Sequence, residues 1–258
     1  MLFSKIGEQW IGQFDLVCTD SRILHAFSTR IGGVSTPPFD TLNLGINTDD
    51  VPDHVRDNRS RFLNLLHLAG DQLAIPRQIH GNRIVPVNMA GEYADTDAVL
   101  TDIPGIVLTI QVADCLPVFL YDPGRLCIGL VHAGWKGTAN EITLQAVRAM
   151  ISVYHSDPAD IRAFIGPSIG PLCYEVSDDV KYQFKNDYVH DNHLDLWQCN
   201  RDQLLQGGVQ AHQIQISGIC THCHSSLFFS HRADRGKTGR MMAVMMIKTK
   251  EQRSKTKE

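Results

Sequence analysis

The 258-residue sequence lacks the motifs that assign many enzymes to a class at first reading. It has no GxxxxGK[ST] loop, no GxGxxG after a predicted strand, no GxSxG and no HExxH. The common patterns of nucleotide loops, serine hydrolases and zinc proteases therefore find no support. It also lacks a basic patch, because the net charge is −4 and the cationic residues are spread along the chain up to the last eleven positions. We therefore expect no nucleic-acid partner.

Long apolar runs are missing at the start of the chain as well. The first residues, MLFSKIGEQWIGQFDL, carry polar or charged side chains throughout, so they predict neither an export signal nor a transmembrane helix. The seven cysteines are odd in number and scattered, which favours free thiols over a disulfide framework. We expect a cytoplasmic protein that has no membrane partner.

No linker-like stretch divides the chain, so we expect a single catalytic domain over residues 1–247. The polar segment KTKEQRSKTKE, residues 248–258, is expected to be disordered. Apolar and β-branched runs predict the strands His25–Thr29, Arg83–Val87, Ala98–Thr101, Ile106–Val112, Pro117–Asp122, Leu126–His132, Ile161–Ile165, Ile214–Ser217 and Met241–Ile247. Helical patterns predict Pro52–Leu68, Thr138–Tyr154, Ser177–Tyr188 and Asn200–Gln206, the last with Asn200 as N-cap. This order predicts an α/β (α+β) fold, a layered domain of mixed β-sheets flanked by helices.

A hairpin is predicted where two apolar runs flank the segment Asp122-Pro123-Gly124-Arg125. If Pro123 and Gly124 form a two-residue loop, Cys115 lies opposite His132, with Cβ atoms about 5 Å apart. A metal ion can bridge such a pair with bonds of about 2.3 Å to sulfur and about 2.0 Å to nitrogen. A one-residue slip would place the two side chains on opposite faces.

A third metal ligand is predicted at His80, in the polar phrase Gln78-Ile79-His80-Gly81. Two histidines and one thiolate leave a fourth zinc position for water or substrate, as in catalytic zinc sites. The same ligands can hold copper. Two other readings stay open: Cys115 and His132 as core packing, or Cys115 as a nucleophile with His132 as its base.

A second cluster, Cys220-Thr221-His222-Cys223-His224, has the CxxC spacing of metal or redox sites. A structural zinc site needs a second pair at matching spacing, which the sequence does not show, so the role of this cluster stays open. Cys173 follows a Gly-Pro loop and either lines a pocket or fills space. Loop cations that would form an anion site only by converging in space are Arg30, Lys136, Arg232, Arg235 and Arg240.

Phrases along nearly the whole chain resemble the zinc-dependent purine nucleoside phosphorylases, once labelled laccase-like polyphenol oxidases, a family that includes peptidoglycan editing factors. The matching phrases are Phe27-Ser28-Thr29-Arg30, Gly32-Gly33-Val34-Ser35, Leu42-Asn43-Leu44-Gly45, Gln78-Ile79-His80-Gly81, Thr96-Asp97-Ala98, Ala113-Asp114-Cys115-Leu116-Pro117, His132-Ala133-Gly134-Trp135-Lys136-Gly137, Gly166-Pro167, Cys173-Tyr174-Glu175-Val176, Asp195-Leu196-Trp197 and Thr238-Gly239-Arg240. The segment from His231 to Thr238 departs from the family's double-arginine form, which leaves the role of Arg232 open.

The resemblance implies zinc held by His80, Cys115 and His132, with copper as an alternative metal. It implies phosphorolysis of adenosine, inosine, guanosine and methylthioadenosine, so the expected partners are purine nucleosides and phosphate. It also implies adenosine deamination, for which zinc can activate water. Asp114 is a candidate proton carrier. We expect substrate binding by Arg30, Asn43, Lys136, Cys173 and Arg240. Alternatives are hydrolysis of a cytoplasmic muropeptide precursor and a metal-free cysteine hydrolase.

Overall fold

The structure, a computed structural model, describes residues 1–14 and 20–254. Its strands are Leu2–Ile6 (β1), Gln9–Gln13 (β2), Ile23–Ser28 (β3), Leu73–Pro76 (β4), Ile84–Pro86 (β5), Gly91–Tyr93 (β6), Ala98–Thr101 (β7), Val107–Val112 (β8), Leu116–Asp122 (β9), Cys127–Ala133 (β10), Arg162–Ile165 (β11), Val189–His190 (β12), His193–Leu194 (β13), Ile214–Ile216 (β14) and Met241–Ile247 (β15). Its α-helices are Pro52–Leu65 (α1), Trp135–Ala139 (α2), Ile142–Tyr154 (α3), Asp178–Lys181 (α4), Leu196–Gln206 (α5) and Lys250–Ser254 (α6). Short 3₁₀ turns lie at Gly70–Gln72, Asn186–Tyr188 and Ala211–Gln213.

Two large mixed sheets form the centre of the fold. One has seven strands in the order β1-β2-β3-β15-β8-β4-β6, and the other has six in the order β14-β11-β9-β10-β7-β5. Most neighbours run antiparallel, whereas β4 pairs in parallel with both β6 and β8, β5 with β7, and β11 with β14. The predicted mixed sheets are thus confirmed.

The two sheets pack face to face, and helices cover their outer faces. Along β15, alternate residues enter different cores: Met241 and Ala243 pack between the sheets, while Met242 and Val244 pack against α1. The outer face of the six-stranded sheet packs against α3 and α5. Because both faces are buried, such strands read as continuous apolar runs. The layers therefore follow the order helix, sheet, sheet, helix.

The hairpin of β9 and β10 has a longer loop than the sequence predicted. Asp122 pairs with Cys127, so four residues form the loop, and the Asp122 carboxylate accepts the N–H groups of Gly124 and Arg125 at 2.8 and 3.0 Å. His132 consequently pairs with Pro117 rather than with Cys115. The predicted register was wrong by two residues. Because side chains alternate with period two, Cys115 and His132 still face the same side as diagonal neighbours.

Three of the predicted helices differ in their bounds from the helices of the structure. The predicted Thr138–Tyr154 helix is two helices, because Glu141 between them has a left-handed backbone, φ 57°. The Ser177–Tyr188 prediction holds only for α4. The helix predicted from Asn200 begins at Leu196, capped by the Asp195 carboxylate, which accepts the Gln198 N–H at 2.9 Å.

Two further features bear on the ends of the chain and on membranes. Helix α6 lies inside the segment predicted as disordered, where the Gln252 side chain accepts the Thr249 N–H at 2.9 Å and so caps the turn. The rest of that segment, residues 255–258, lies outside the described residues. Among the residues that the structure describes, no helix has the length and apolar character to span a membrane.

Candidate metal centre and cavity

Three side chains from separate parts of the chain meet at one end of the layer between the sheets. His132 is the last but one residue of β10, Cys115 directly precedes β9, and His80 lies in the loop after β4. One potential ligand atom from each lies within 4.8 Å of the other two. The imidazole rings of His80 and His132 are 4.9 Å apart at an interplanar angle of 73°. The three residues form a His₂Cys group.

The buried carboxylate of Asp97 holds both histidines in place. Its Oδ1 accepts the Nδ1–H of His132 at 2.8 Å, which leaves Nε2 of that ring available to a metal. Its two oxygens also accept three successive backbone N–H groups, from Ile79, His80 and Gly81, at 3.2, 3.0 and 2.7 Å. These bonds hold the loop in a conformation in which His80 has φ 60°. A carboxylate behind a metal-binding histidine fixes its tautomer and orientation.

Cys115 and His132 each shift the pKa of the other towards the charged form. Burial acts against a thiolate, but the positive charge of His132 and hydrogen bonds from His132 and His80 lower the pKa of Cys115 to about 6. Burial also disfavours a charged imidazole at His132, but Cys115 and Asp97 raise the pKa of His132 to about 9. The geometry thus favours a thiolate, which is the form of cysteine that binds metal or attacks as a nucleophile.

Gly134 makes the close approach of these groups possible. A Cβ at this position would lie 2.9 Å from Cys115 Sγ and 3.3 Å from His80 Cδ2. Its backbone, φ −78° and ψ 176°, is open to any residue, so the restriction is one of space alone. Glycine at the start of α2 therefore belongs to the packing of the His₂Cys group.

A cavity of about 500 Å³ opens over the His₂Cys group. That volume lies within the range of about 300–1,000 Å³ that is usual for small-molecule sites. The cavity has aromatic, apolar and cationic walls. Its lining residues are Ile46, Asn47, Pro76, Gln78, His80, Gln111, Val112, Ala113, Asp114, Cys115, His132, Trp135, Ile169, Tyr174, Leu196, His231, Arg232 and Arg240.

Of the five residues predicted to bind substrate, Arg240 lines the cavity. Burial lowers the pKa of its guanidinium, whereas the nearby Cys115 and Asp114 act in the opposite direction. Asn43 is fully buried, and its Oδ1 accepts the Arg240 backbone N–H at 2.9 Å. Asn43 therefore positions Arg240 rather than lining the cavity itself.

The other three predicted substrate-binding residues lie outside the cavity lining. Arg30 donates to the carbonyls of Asp40 and Ser225, both at 2.8 Å. Lys136 is exposed, with its ammonium 5.5 Å from the Trp135 ring. Cys173 lies in a separate thiol group. Their role in substrate binding stays a prediction.

Asp114 lines the cavity, but both of its oxygens are engaged by neighbouring loops. Oδ1 accepts the Thr221 hydroxyl at 2.6 Å, and Oδ2 accepts the Arg232 backbone N–H at 2.8 Å. The Arg232 side chain lies 5.5 Å from the Tyr174 ring and donates to the Glu175 carbonyl at 2.7 Å. Asp114 thus joins two loops at the cavity wall, and its role as proton carrier stays a prediction.

Sequence reasoning did not single out several residues of this site. Asp97 belongs to Thr96-Asp97-Ala98, one of the phrases that resemble the family, and lies just before β7, but no role was predicted for it. Gln78 and Gln111 both line the cavity, and the Gln78 side chain forms two hydrogen bonds of 2.8 Å with the Gln111 backbone, one to its carbonyl and one from its N–H. Such contacts between distant segments have no local sequence pattern.

Comparisons with known proteins cover most of the chain. A family model described as multi-copper polyphenol oxidoreductase laccase matches residues 24–248. Purine nucleoside phosphorylase YlmD of Bacillus subtilis is 36% identical over 250 residues, which are 89% of this chain and 90% of that protein. A purine nucleoside phosphorylase of Deinococcus radiodurans is 40% identical over 235 residues, 88% of this chain and 90% of that one. The crystal structure of YfiH from Bacillus licheniformis, 36% identical, matches with a TM-score of 0.87 over 95% of this chain and 99% of that chain.

Proposed function

Because this chain belongs to the family described as multi-copper polyphenol oxidoreductase laccase, with relatives called purine nucleoside phosphorylases, we propose that it cleaves purine nucleosides with phosphate. The substrates we propose are adenosine, inosine, guanosine and methylthioadenosine. The observation that carries the proposal is the His₂Cys group beneath a cavity of about 500 Å³ that has an arginine in its wall.

The donor set of the His₂Cys group fits a zinc ion. His80, Cys115 and His132 would hold it, with a fourth position open to the cavity, as in catalytic zinc sites. Bound there, zinc would supply a Lewis acid next to the substrate. Copper accepts the same ligands, so the identity of the metal is part of the test.

The walls of the cavity suit the two substrates. Trp135 and Tyr174 supply aromatic side chains to the cavity wall, and Leu196 and Ile169 supply apolar ones, which suits a purine base. Arg240 offers a guanidinium, a group suited to bidentate contacts with phosphate. In phosphorolysis a phosphate oxygen bonds to C1′ while the bond from C1′ to the base nitrogen breaks, and the departing base takes up a proton. The arginine would hold the phosphate for that attack.

Deamination of adenosine is the second reaction we propose for the same cavity. It replaces the amino group at C6 with oxygen from water and releases ammonia. The His₂Cys group, with its open position, supports this reaction on the same ground as phosphorolysis. The two reactions give different products and can be separated in one assay.

The test incubates metal-assayed protein with adenosine, with and without phosphate, and measures adenine, inosine and hypoxanthine separately. Cys115→Ala is the test variant, and Cys127→Ala is the matched control, because Cys127 is buried in the same hairpin outside the cavity lining. We expect adenine only with phosphate, inosine with or without it, and both products lost in Cys115→Ala alone.

Two outcomes would overturn the proposal in different ways. If the metal-loaded wild type forms none of these products, muropeptide precursors become the substrates to test. If protein without stoichiometric metal is fully active, the metal-free cysteine hydrolase gains support, because the Cys115 thiol and His132 are already paired for nucleophilic attack.

A further inference from the structure

Two thiols and an imidazole converge in a second group away from the His₂Cys group, and a third thiol, Cys220, lies in the same turn as two of them. Cys173 Sγ lies 3.4 Å from Cys223 Sγ, and a ligand atom of His222 lies within 4.8 Å of both. The Cys220 thiol is the nearest further cysteine sulfur, and it accepts the N–H of Gly170, three residues before Cys173, at 3.2 Å. We call these four residues the Cys₃His group. Its members come from two segments about fifty residues apart in sequence, 166–175 and 217–225.

Backbone groups of both segments form hydrogen bonds at or next to Cys220. Ser168 bridges Cys220 in parallel, and its N–H and C=O bond to the second segment at 3.2 and 3.0 Å. The Gly170 N–H donates to Cys220 Sγ at 3.2 Å, and the Cys223 N–H donates to the same sulfur. N–H groups directed at a sulfur stabilise its thiolate form.

Within the turn, the two histidines differ in availability. His224 Nδ1 is 2.9 Å from the Cys220 carbonyl oxygen, so that ring is held against its own turn. His222 is the histidine whose ligand atom faces Cys173 and Cys223. The turn therefore supplies the sulfurs of Cys220 and Cys223 and the imidazole of His222, and the other segment supplies the sulfur of Cys173.

We propose that Cys173, Cys220, Cys223 and His222 bind a zinc ion in a second, closed site. Three cysteines and one histidine are a ligand set of structural zinc sites, and four protein ligands leave no open position for substrate. Bonds of about 2.3 Å in a tetrahedron place two sulfurs about 3.8 Å apart. The distance of 3.4 Å between Cys173 and Cys223 is close to that value. It is far from the roughly 2.05 Å of a disulfide.

The second site would fix two parts of the cavity wall. Ile169 and Tyr174 line the cavity from the first segment, and Arg232 lines it just beyond the second. Arg232 also donates to the Cys173 carbonyl at 3.4 Å. The unfolded chain does not hold these four ligands together. The free energy of zinc binding would therefore stabilise the folded form of this wall. The site does not depend on which reaction the cavity performs.

The test measures zinc per chain in the full-length protein, purified in the presence of a thiol reductant and titrated with zinc. We expect two equivalents in the wild type and one in Cys223→Ser, whose side chain is exposed, so that serine is tolerated there. Cys115→Ala should also bind one equivalent, and the double variant none. Cys199→Ser is the control, because Cys199 lies in α5 outside both groups, and it should keep two.

His222→Ala and cobalt keep the test independent of any single variant. Cobalt bound to three thiolates gives intense sulfur-to-metal absorption, which Cys223→Ser should reduce and Cys115→Ala should largely spare. His222→Ala should bind the second equivalent more weakly. A Cys115→Ala variant that binds no zinc while all its thiols are reduced would overturn the proposal, as would a Cys223→Ser variant that binds as many equivalents as the wild type. A Cys173–Cys223 disulfide that persists in reductant and blocks the second equivalent would overturn it as well.

Discussion

Asp97→Asn tests whether the buried carboxylate organises the metal centre. The substitution keeps the size of the side chain but replaces one acceptor oxygen with an NH₂ donor. Four N–H groups converge on the two oxygens: His132 and His80 on Oδ1, Ile79 and Gly81 on Oδ2. In either orientation of the amide, its NH₂ group points at two of these N–H groups, so those two lose their acceptor. Asp97 is fully buried, so water cannot satisfy them.

The magnitude follows from those contacts. A buried donor left without a partner costs about 1–3 kcal/mol, so two of them cost about 2–6 kcal/mol of folding free energy. Loss of a carboxylate behind a metal-binding histidine weakens metal binding by about 10- to 100-fold. Burial opposes the raised pKa of His132, and Cys115 and Asp97 cause it, so the substitution also removes one of the charges that raise this pKa.

The assay combines zinc affinity, from competition with a chelator, with urea unfolding of the same preparations. Asp20→Asn is the matched control: this carboxylate accepts the Arg22 backbone N–H and guanidinium at 3.0 and 2.7 Å and the Tyr121 hydroxyl, outside the cavity lining. It should lower stability and leave zinc affinity unchanged. Zinc affinity in Asp97→Asn equal to that of the wild type, or an equal loss in both variants, would refute the reasoning.

Three further predictions concern single contacts. Gly134→Ala should lower zinc affinity because its Cβ would press on Cys115 Sγ from 2.9 Å, whereas Gly70→Ala, with nothing within 4 Å, should not. Arg240→Ala should raise the KM for phosphate by about 10- to 100-fold in steady-state assays, and Arg240→Lys by less, since a charged hydrogen bond contributes about 1.5–3 kcal/mol. Burial lowers the pKa of His25 to about 4, below its unfolded value of 6.5, so the unfolded chain binds more protons between those values. The contribution of neutral His25 to stability is fully present above pH 6.5 and is lost as the pH falls towards 4. The free energy of unfolding, measured with urea, should therefore fall by about 2 kcal/mol from pH 7 to pH 5, and His25→Leu should remove this decrease. A pH dependence unchanged in His25→Leu would contradict this.

Local sequence patterns were sufficient for much of the fold. The strands β7, β8, β10 and β15 were predicted to within one residue, because continuous β-branched and aliphatic runs mark strands buried on both faces. Short strands at sheet edges, such as β1, β6 and β12, were missed, because pairing with a neighbour defines them and their composition does not. The misplaced start of α5 has a similar cause: Asn200 resembles an N-cap in sequence, but it is buried inside the helix, where its side chain donates to the Thr138 hydroxyl at 3.0 Å.

In the candidate sites, too, local sequence patterns predicted some features and tertiary contacts set the others. The sequence by itself determined that Cys115 and His132 share a face, because a strand alternates with period two and the two-residue error in register preserved that parity. It also carried the phrases that indicate the family, and His80 among them. Only the tertiary structure decided that Asp97 contacts both His132 and His80 and that Cys173 meets Cys223. Each of these contacts joins segments far apart in the chain, and the packing of loops and sheets sets such contacts, which leave no local periodicity.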